Sequence, residues 1–120
     1  MDKIYEITLL YDFYGELLTQ NQRELCRMHI LEDLSLGEIS QELSISRQGV
    51  YDGVRRGERL LREYEDTLHL VRRFLEHQEA AEAIKALAEQ AKTEPCKAES
   101  CLRTIIEKAD EILRVESRIE

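Results

Sequence analysis

Residues 46–61, SRQGVYDGVRRGERLL, set Gly49, Gly53 and Gly57 four residues apart at the start of a helix that also carries a run of arginines. An interior helical glycine costs about 1 kcal/mol relative to alanine, so the three together cost roughly 3. Advancing about 100° per residue shows where they fall. Val50, Val54, Leu61 and Leu68 share one narrow arc, the expected buried stripe. Gln48, Tyr51, Asp52, Arg55, Arg59 and Arg62 lie nearly opposite, and the glycines run along one edge of the stripe. The pattern predicts a helix whose glycines admit a neighbouring helix at close range. Gly49 is expected where the preceding helix crosses, Gly57 almost in the core, and the arginines in a separate row facing solvent.

The rest of the chain is built from helix formers. Its 120 residues include one Pro and no Trp, and 35% are charged, a composition that points to an all-α fold of one modest core. Ile4, Ile7, Tyr11, Tyr14 and Leu18 step by three and four and predict a first amphipathic helix. Thr19 with Gln22, and Ser35 with Glu38, have the spacing of capping boxes and open a second and a third helix. Ser46 is placed to cap the fourth. Beyond the glycines, Leu61, Tyr64, Leu68, Val71 and Leu75 predict a seam for lengthwise packing, with a bend or break near EDTLH left open. An Ala-rich helix over residues 79–91 follows, with Ala80, Ala83, Ile84, Leu87, Ala88 and Ala91 on one face. Pro95 interrupts it, because the residue before a proline is pushed out of helical conformation. A last helix carries Leu102, Ile105, Ile106, Ala109, Ile112 and Leu113. The expected division is a head over residues 1–66 and a helical extension over 67–120.

Charge narrows the functional classes. The net charge is −8, yet residues 46–62 hold five arginines against Asp52 and Glu58, a local +3. A positive strip on a negative body suits a defined anionic partner better than indiscriminate adhesion. The first residues, MDKIYEITLLYDFYGELL, interrupt their apolar spacing with Asp2, Glu6 and Asp12, which fits neither a signal peptide nor a membrane anchor. A cytoplasmic location with Cys26, Cys96 and Cys101 reduced is expected. Cys96 and Cys101 lack zinc-site spacing and His29, His69 and His77 are scattered, so no metal or other cofactor is expected. Glu63, Glu65 and Asp66 read as a solvated helical face, with no nucleophile and base set to cooperate, so an enzyme is not expected.

Two short helices joined by three or four residues form a helix-turn-helix. Ile39, Leu43, Ile45 and Val50 occupy the apolar places that lock such a unit, Ser40 is the small residue at the crossing, and Ser44 stands where the turn often has Gly. On this reading Gln48 and Tyr51 reach base edges, and Arg47, Arg55, Arg56 and Arg59 meet phosphates. The alternative is an ordinary polar face, Asp52 pairing with Arg55 or Arg56 and Glu58 with Arg62.

Residues 17–65 resemble region 4 of bacterial sigma factors, through the LT..QRE opening, LSLGEIS and SRQGV. They are closer to the YlxM family, small bacterial proteins associated with the signal recognition particle. LLYDFYGELLT (residues 9–19) and EDLSLGEISQELSISRQGVYD (residues 32–52) look like that family's hallmark stretches, and the resemblance runs from residue 3 to about 75. It implies a regulatory or accessory role beside the particle's RNA and GTPase. A DNA-binding regulator is the second expectation. That role favours a homodimer, through the Leu61–Leu75 seam or the stripes of the first or last helix. A module that holds a protein partner with its C-terminal helices is the third.

Overall fold

A computed structural model describes residues 2–117, with side chains through Arg114. The described residues form α1 (Lys3–Tyr14), α2 (Gln20–Cys26), α3 (Leu36–Leu43), α4 (Arg47–Leu68), α5 (Leu70–Thr93) and α6 (Ala98–Ser117), with no strand among them. A π-helical turn, Arg27–Leu31, prolongs α2, and short 3-10 turns follow α1 and α5.

The helix starts follow from local chemistry. Asp2 accepts from the Ile4 N–H, Thr19 and Gln22 close one capping box, Ser35 and Glu38 close another, and Ser46 Oγ accepts from the Gly49 N–H at 3.0 Å. Each cap satisfies amides that have no partner inside the helix, worth typically about 1 kcal/mol. Glu94, before Pro95, leaves helical geometry at φ −127° as expected.

The chain divides into two compact units, Met1–Val71 and Arg72–Glu120. In the first, Leu25 and Met28, Ile39 of α3, and Val50 and Val54 of α4 form one buried cluster, with Leu34, Leu36 and Leu43 at its margin. Two of the three glycines explain how closely α2 and α4 meet. A methyl group on Gly53 would strike Leu25 Cδ1, and one on Gly57 would strike Cys26 Sγ. Cys26 is fully buried, and burial, with Glu58 adding, pushes its thiol up to about 11, so it stays neutral and serves as packing. Gly49 is different. It is exposed, and a methyl group there would meet only Ser46 Oγ, its own cap, at 3.1 Å. The expected crossing at Gly49 is corrected: α4 reaches α3 through Val50 in the shared cluster.

The expected stripe of α1 holds at Tyr14 and Leu18, which are buried, and at Ile7 and Tyr11, which are half-buried, but not at Ile4. Ile4 is 71% exposed, whereas Leu9 and Leu10, outside the expected stripe, are buried. Apolar residues surround this helix on several sides, so spacing alone did not show how far the covered face extends. The lengthwise seam of α4 fails at Leu68, which is exposed because the helix ends at His69, in left-handed conformation at φ 57°.

The break is held by groups remote in sequence. Tyr14 Oη donates to Glu65 Oε1 and accepts from the Leu70 N–H at 3.0 Å, and the Val71 N–H donates to the same Glu65 oxygen at 3.0 Å. A phenol and a carboxylate thus cap the start of α5. Burial and the Glu65 hydrogen bond raise the pKa of Tyr14, which keeps its proton available for donation.

In the second unit, the Cys101 thiol of α6 is buried and donates to Gln90 Oε1 of α5 at 3.6 Å.

Two stability changes are expected in urea unfolding. Gly57→Ala gains helix propensity but overpacks Cys26, for a net loss of about 1–2 kcal/mol, and adding Cys26→Ala recovers part of it. Tyr14→Phe leaves the Leu70 amide and Glu65 short of a partner and lowers stability by about 1–2 kcal/mol.

Candidate nucleic-acid interface

The unit formed by α3, a three-residue turn and α4 is a complete helix-turn-helix. Ser44 adopts the left-handed conformation, φ 57° and ψ 43°, and its N–H donates to the Ser40 carbonyl. This is the conformation for which such turns favour glycine. The Ile45 N–H also donates to the Ser40 carbonyl at 3.3 Å, and Ser40 Oγ donates to the Ile45 carbonyl. Ser40 therefore ties the turn from both sides, beyond being small. Ile39 and Val50 are fully buried and lock the two helices. Ile45 was expected among the locking residues, but it is exposed, its backbone rather than its side chain being held in the turn.

With Val50, Val54, Gly57 and Leu61 turned inward, the opposite face of α4 is presented to solvent. Arg47, Gln48, Tyr51, Arg55, Arg56 and Arg59 are all exposed. Their surroundings differ. Gln48 Nε2 donates to Asp52 Oδ1 at 2.9 Å, which fixes the first turn of the face. Tyr51 is 42% exposed, and the Arg55 guanidinium lies over its ring at 5.6 Å from the centroid, a cation–π contact of about 0.5–1 kcal/mol at an exposed site. Arg47 lies back across α3: a methyl group on Gly37 would meet its Nη2 at 2.8 Å. Gly37 thus provides the space in which this guanidinium rests, a contact ten residues apart that no periodicity signals.

The alternative pairing of the polar face does not form as expected. Asp52 accepts from Gln48, and Arg62 pairs with Glu6 of α1 at 3.0 Å. Among the described residues Arg55, Arg56 and Arg59 take part in no ion pair. Farther along the helix the surface is mixed. Arg55, Arg59 and Arg62 share a shallow groove of about 460 Å³ with Glu58, Glu63 and Asp66. The positive character of α4 therefore belongs to its first half.

A second concavity, about 330 Å³, lies between α1, the π-helical turn and α4, with Lys3, His29, Asp33, Glu58 and Arg62 among its lining residues. Among the described residues no three His, Cys, Asp or Glu side chains are grouped to hold a metal ion.

The model of the family described as "Putative helix-turn-helix protein, YlxM / p13 like", UPF0122, matches residues 1–100. A UPF0122 protein of Acetivibrio thermocellus is 43% identical over 121 residues, covering 100% of this chain and 96% of the relative. One of Caldanaerobacter subterraneus is 54% identical over 84 residues, 70% of this chain and 72% of the relative. One of Bacillus thuringiensis is 46% identical over 87 residues, 72% of this chain and 79% of the relative. The matched region contains the whole helix-turn-helix, a motif that binds nucleic acid by laying its second helix in a groove. The chain belongs to the UPF0122 family of YlxM/p13-like helix-turn-helix proteins.

Proposed function

We propose that this protein is a non-enzymatic accessory component of the signal recognition particle pathway. In this reading it contacts the particle's RNA or its GTPase through Arg47, Gln48, Tyr51, Arg55, Arg56 and Arg59. The observation that carries the reading is the state of Arg55, Arg56 and Arg59. They stand exposed and outside ion pairs on a helix braced from beneath by Val50 and Val54, in a chain whose net charge is −8. Leaving cations so placed on an acidic protein favours one anionic surface over many. Phosphate meets guanidinium in bidentate geometry, which makes RNA the better fit of the two particle components. The assignment to this pathway is supported by the resemblance of residues 9–19 and 32–52 to the YlxM hallmark stretches. Among the described residues no helix is long and apolar enough to cross a membrane, and the reading places the protein in the cytoplasm.

The second reading, a sequence-specific DNA-binding regulator acting as a dimer, is favoured by the complete helix-turn-helix. Gln48 and Tyr51 then address base edges in the major groove. The acidic body disfavours it, because a long duplex brings many phosphates near surfaces on which acidic residues outnumber basic ones.

Titrating the protein against particle RNA, particle GTPase and random duplex DNA at two salt concentrations separates these readings. Particle RNA is expected to bind with an affinity that falls with salt. Arg55→Ala with Arg59→Ala is expected to reduce the slope of log affinity against log salt by about 1.4–1.8, the contribution of two phosphate contacts. No binding to RNA, GTPase or the assembled particle at micromolar concentrations excludes the first reading. Enrichment of one motif from random duplexes establishes the second. An unchanged slope in the double variant places the contact elsewhere.

A further inference from the structure

The exposed row of α4 sets one aromatic side chain among its first cations. Arg47, Tyr51, Arg55 and Arg59 follow one another at intervals of four residues, about 6 Å along the axis and about 40° around it. Helical spacing also offers Arg55 two carboxylates, Asp52 three residues before it and Glu58 three residues after. Arg55 pairs with neither. Asp52 accepts from Gln48 Nε2 at 2.9 Å, and the Arg55 guanidinium lies over the Tyr51 ring, 5.6 Å from its centroid. A guanidinium held by a ring face keeps its N–H donors for another acceptor, whereas a carboxylate would consume them.

The ring itself is left with capacity to spare. Tyr51 is 42% exposed, and its hydroxyl has no hydrogen-bond partner among the described residues. Arg55 occupies one face of the ring, and among the described residues no aromatic or cationic group occupies the other. An exposed ring set between free cations is the arrangement that takes a nucleobase by stacking while the cations meet its phosphates.

The shape of RNA decides which nucleotides such a face can reach. The major groove of an A-form duplex is deep and narrow and excludes side chains, whereas α4 with its side chains is about 10–12 Å across. The minor groove is wide, but it shows base edges and 2′-hydroxyls and leaves no base face free to stack. The positive length of α4 is also short. Arg47 to Arg59 spans about 18 Å, and Glu58, Glu63 and Asp66 share the groove that holds Arg55 and Arg59. An unpaired nucleotide meets these limits, because its base is free to stack and its neighbouring phosphates need few cations.

Resting on the reading that α4 contacts RNA, we infer that Tyr51 is a stacking platform for an unpaired nucleotide. The base lies on the ring face opposite Arg55, and Arg55 and Arg59 meet the adjoining phosphates. The RNA element recognised is a loop or a bulge, and a continuous duplex is a poor substitute.

Binding of the full chain to particle RNA, and to the same RNA annealed along its length to a complementary RNA strand, tests this. The fully paired form is expected to bind at least about tenfold more weakly, although it carries more phosphates. Tyr51→Phe is expected to bind within about twofold of wild type. Tyr51→Leu keeps the bulk but loses the ring, and is expected to bind at least about fivefold more weakly. Its salt slope is expected to stay that of wild type, because stacking releases no counterions. The chain has no Trp, so Tyr51→Trp supplies a single reporter whose emission a stacked base quenches at saturation. A Tyr51→Leu chain that binds as wild type does, a paired RNA that binds as well as the native one, or an unquenched Tyr51→Trp chain overturns the inference and leaves the arginine contact standing. A wild type that does not bind particle RNA removes the underlying reading and the inference with it. Should Tyr51→Leu lose helical circular dichroism, the paired RNA and the Tyr51→Trp emission decide.

Discussion

The head depends on the close approach of α4 to α2, made where Gly53 and Gly57 leave no side chain between the α4 backbone and Leu25 and Cys26. Two glycines weaken a helix by roughly 2 kcal/mol, and the loss is offset by apolar burial that a bulkier edge would hold apart. Leu25, Met28, Ile39, Val50 and Val54 close over one another only at that separation. The arginine row follows directly. Once Val50, Val54, Gly57 and Leu61 are committed to the inside, the helical repeat leaves Arg55 and Arg59 no place but solvent.

What the structure adds is how the face is divided. Arg62 belongs to the same row by angle, but Glu6 of α1 engages it. Arg47 is laid across Gly37, and Arg55 is stacked on Tyr51. The first half of α4 therefore offers a compact set of donors with partly fixed positions, and the second half offers mixed charge. An anionic ligand that follows the helix axis meets attraction near Arg55 and Arg59 and repulsion near Glu63 and Asp66. Such a boundary limits the length of nucleic acid engaged, which accords with the proposed contact to a defined RNA element.

Local chemistry was readable from sequence wherever cause and effect lie within one turn of helix. Both capping boxes, the Ser46 cap, the turn at Ser44 and the inward valines fall in that class. The covered face of α1 was readable only in part: Tyr14 and Leu18 fall on the expected stripe, but apolar residues surround the helix and only packing selects Leu9 and Leu10 over Ile4. The end of α4 at His69 was left open for a related reason: Tyr14 and Glu65, 51 residues apart, join to cap α5. Arg62 and Arg47 looked equivalent to the other arginines until their partners, Glu6 and the α3 backbone at Gly37, came within reach through the fold. The glycines were half legible. Their shared edge of the stripe was visible, but which of them faced α2 was not, and Gly49 faces its own cap.

Amide chemical shifts of the labelled full chain, followed while particle RNA is added, test most directly whether the helix-turn-helix face is the contact surface. The account predicts that the largest changes cluster on Arg47–Arg59 of α4, with Val54 and Leu61 moving little because the seam beneath does not rearrange. Changes confined to α5 and α6, with the α4 amides unmoved at saturation, would contradict it.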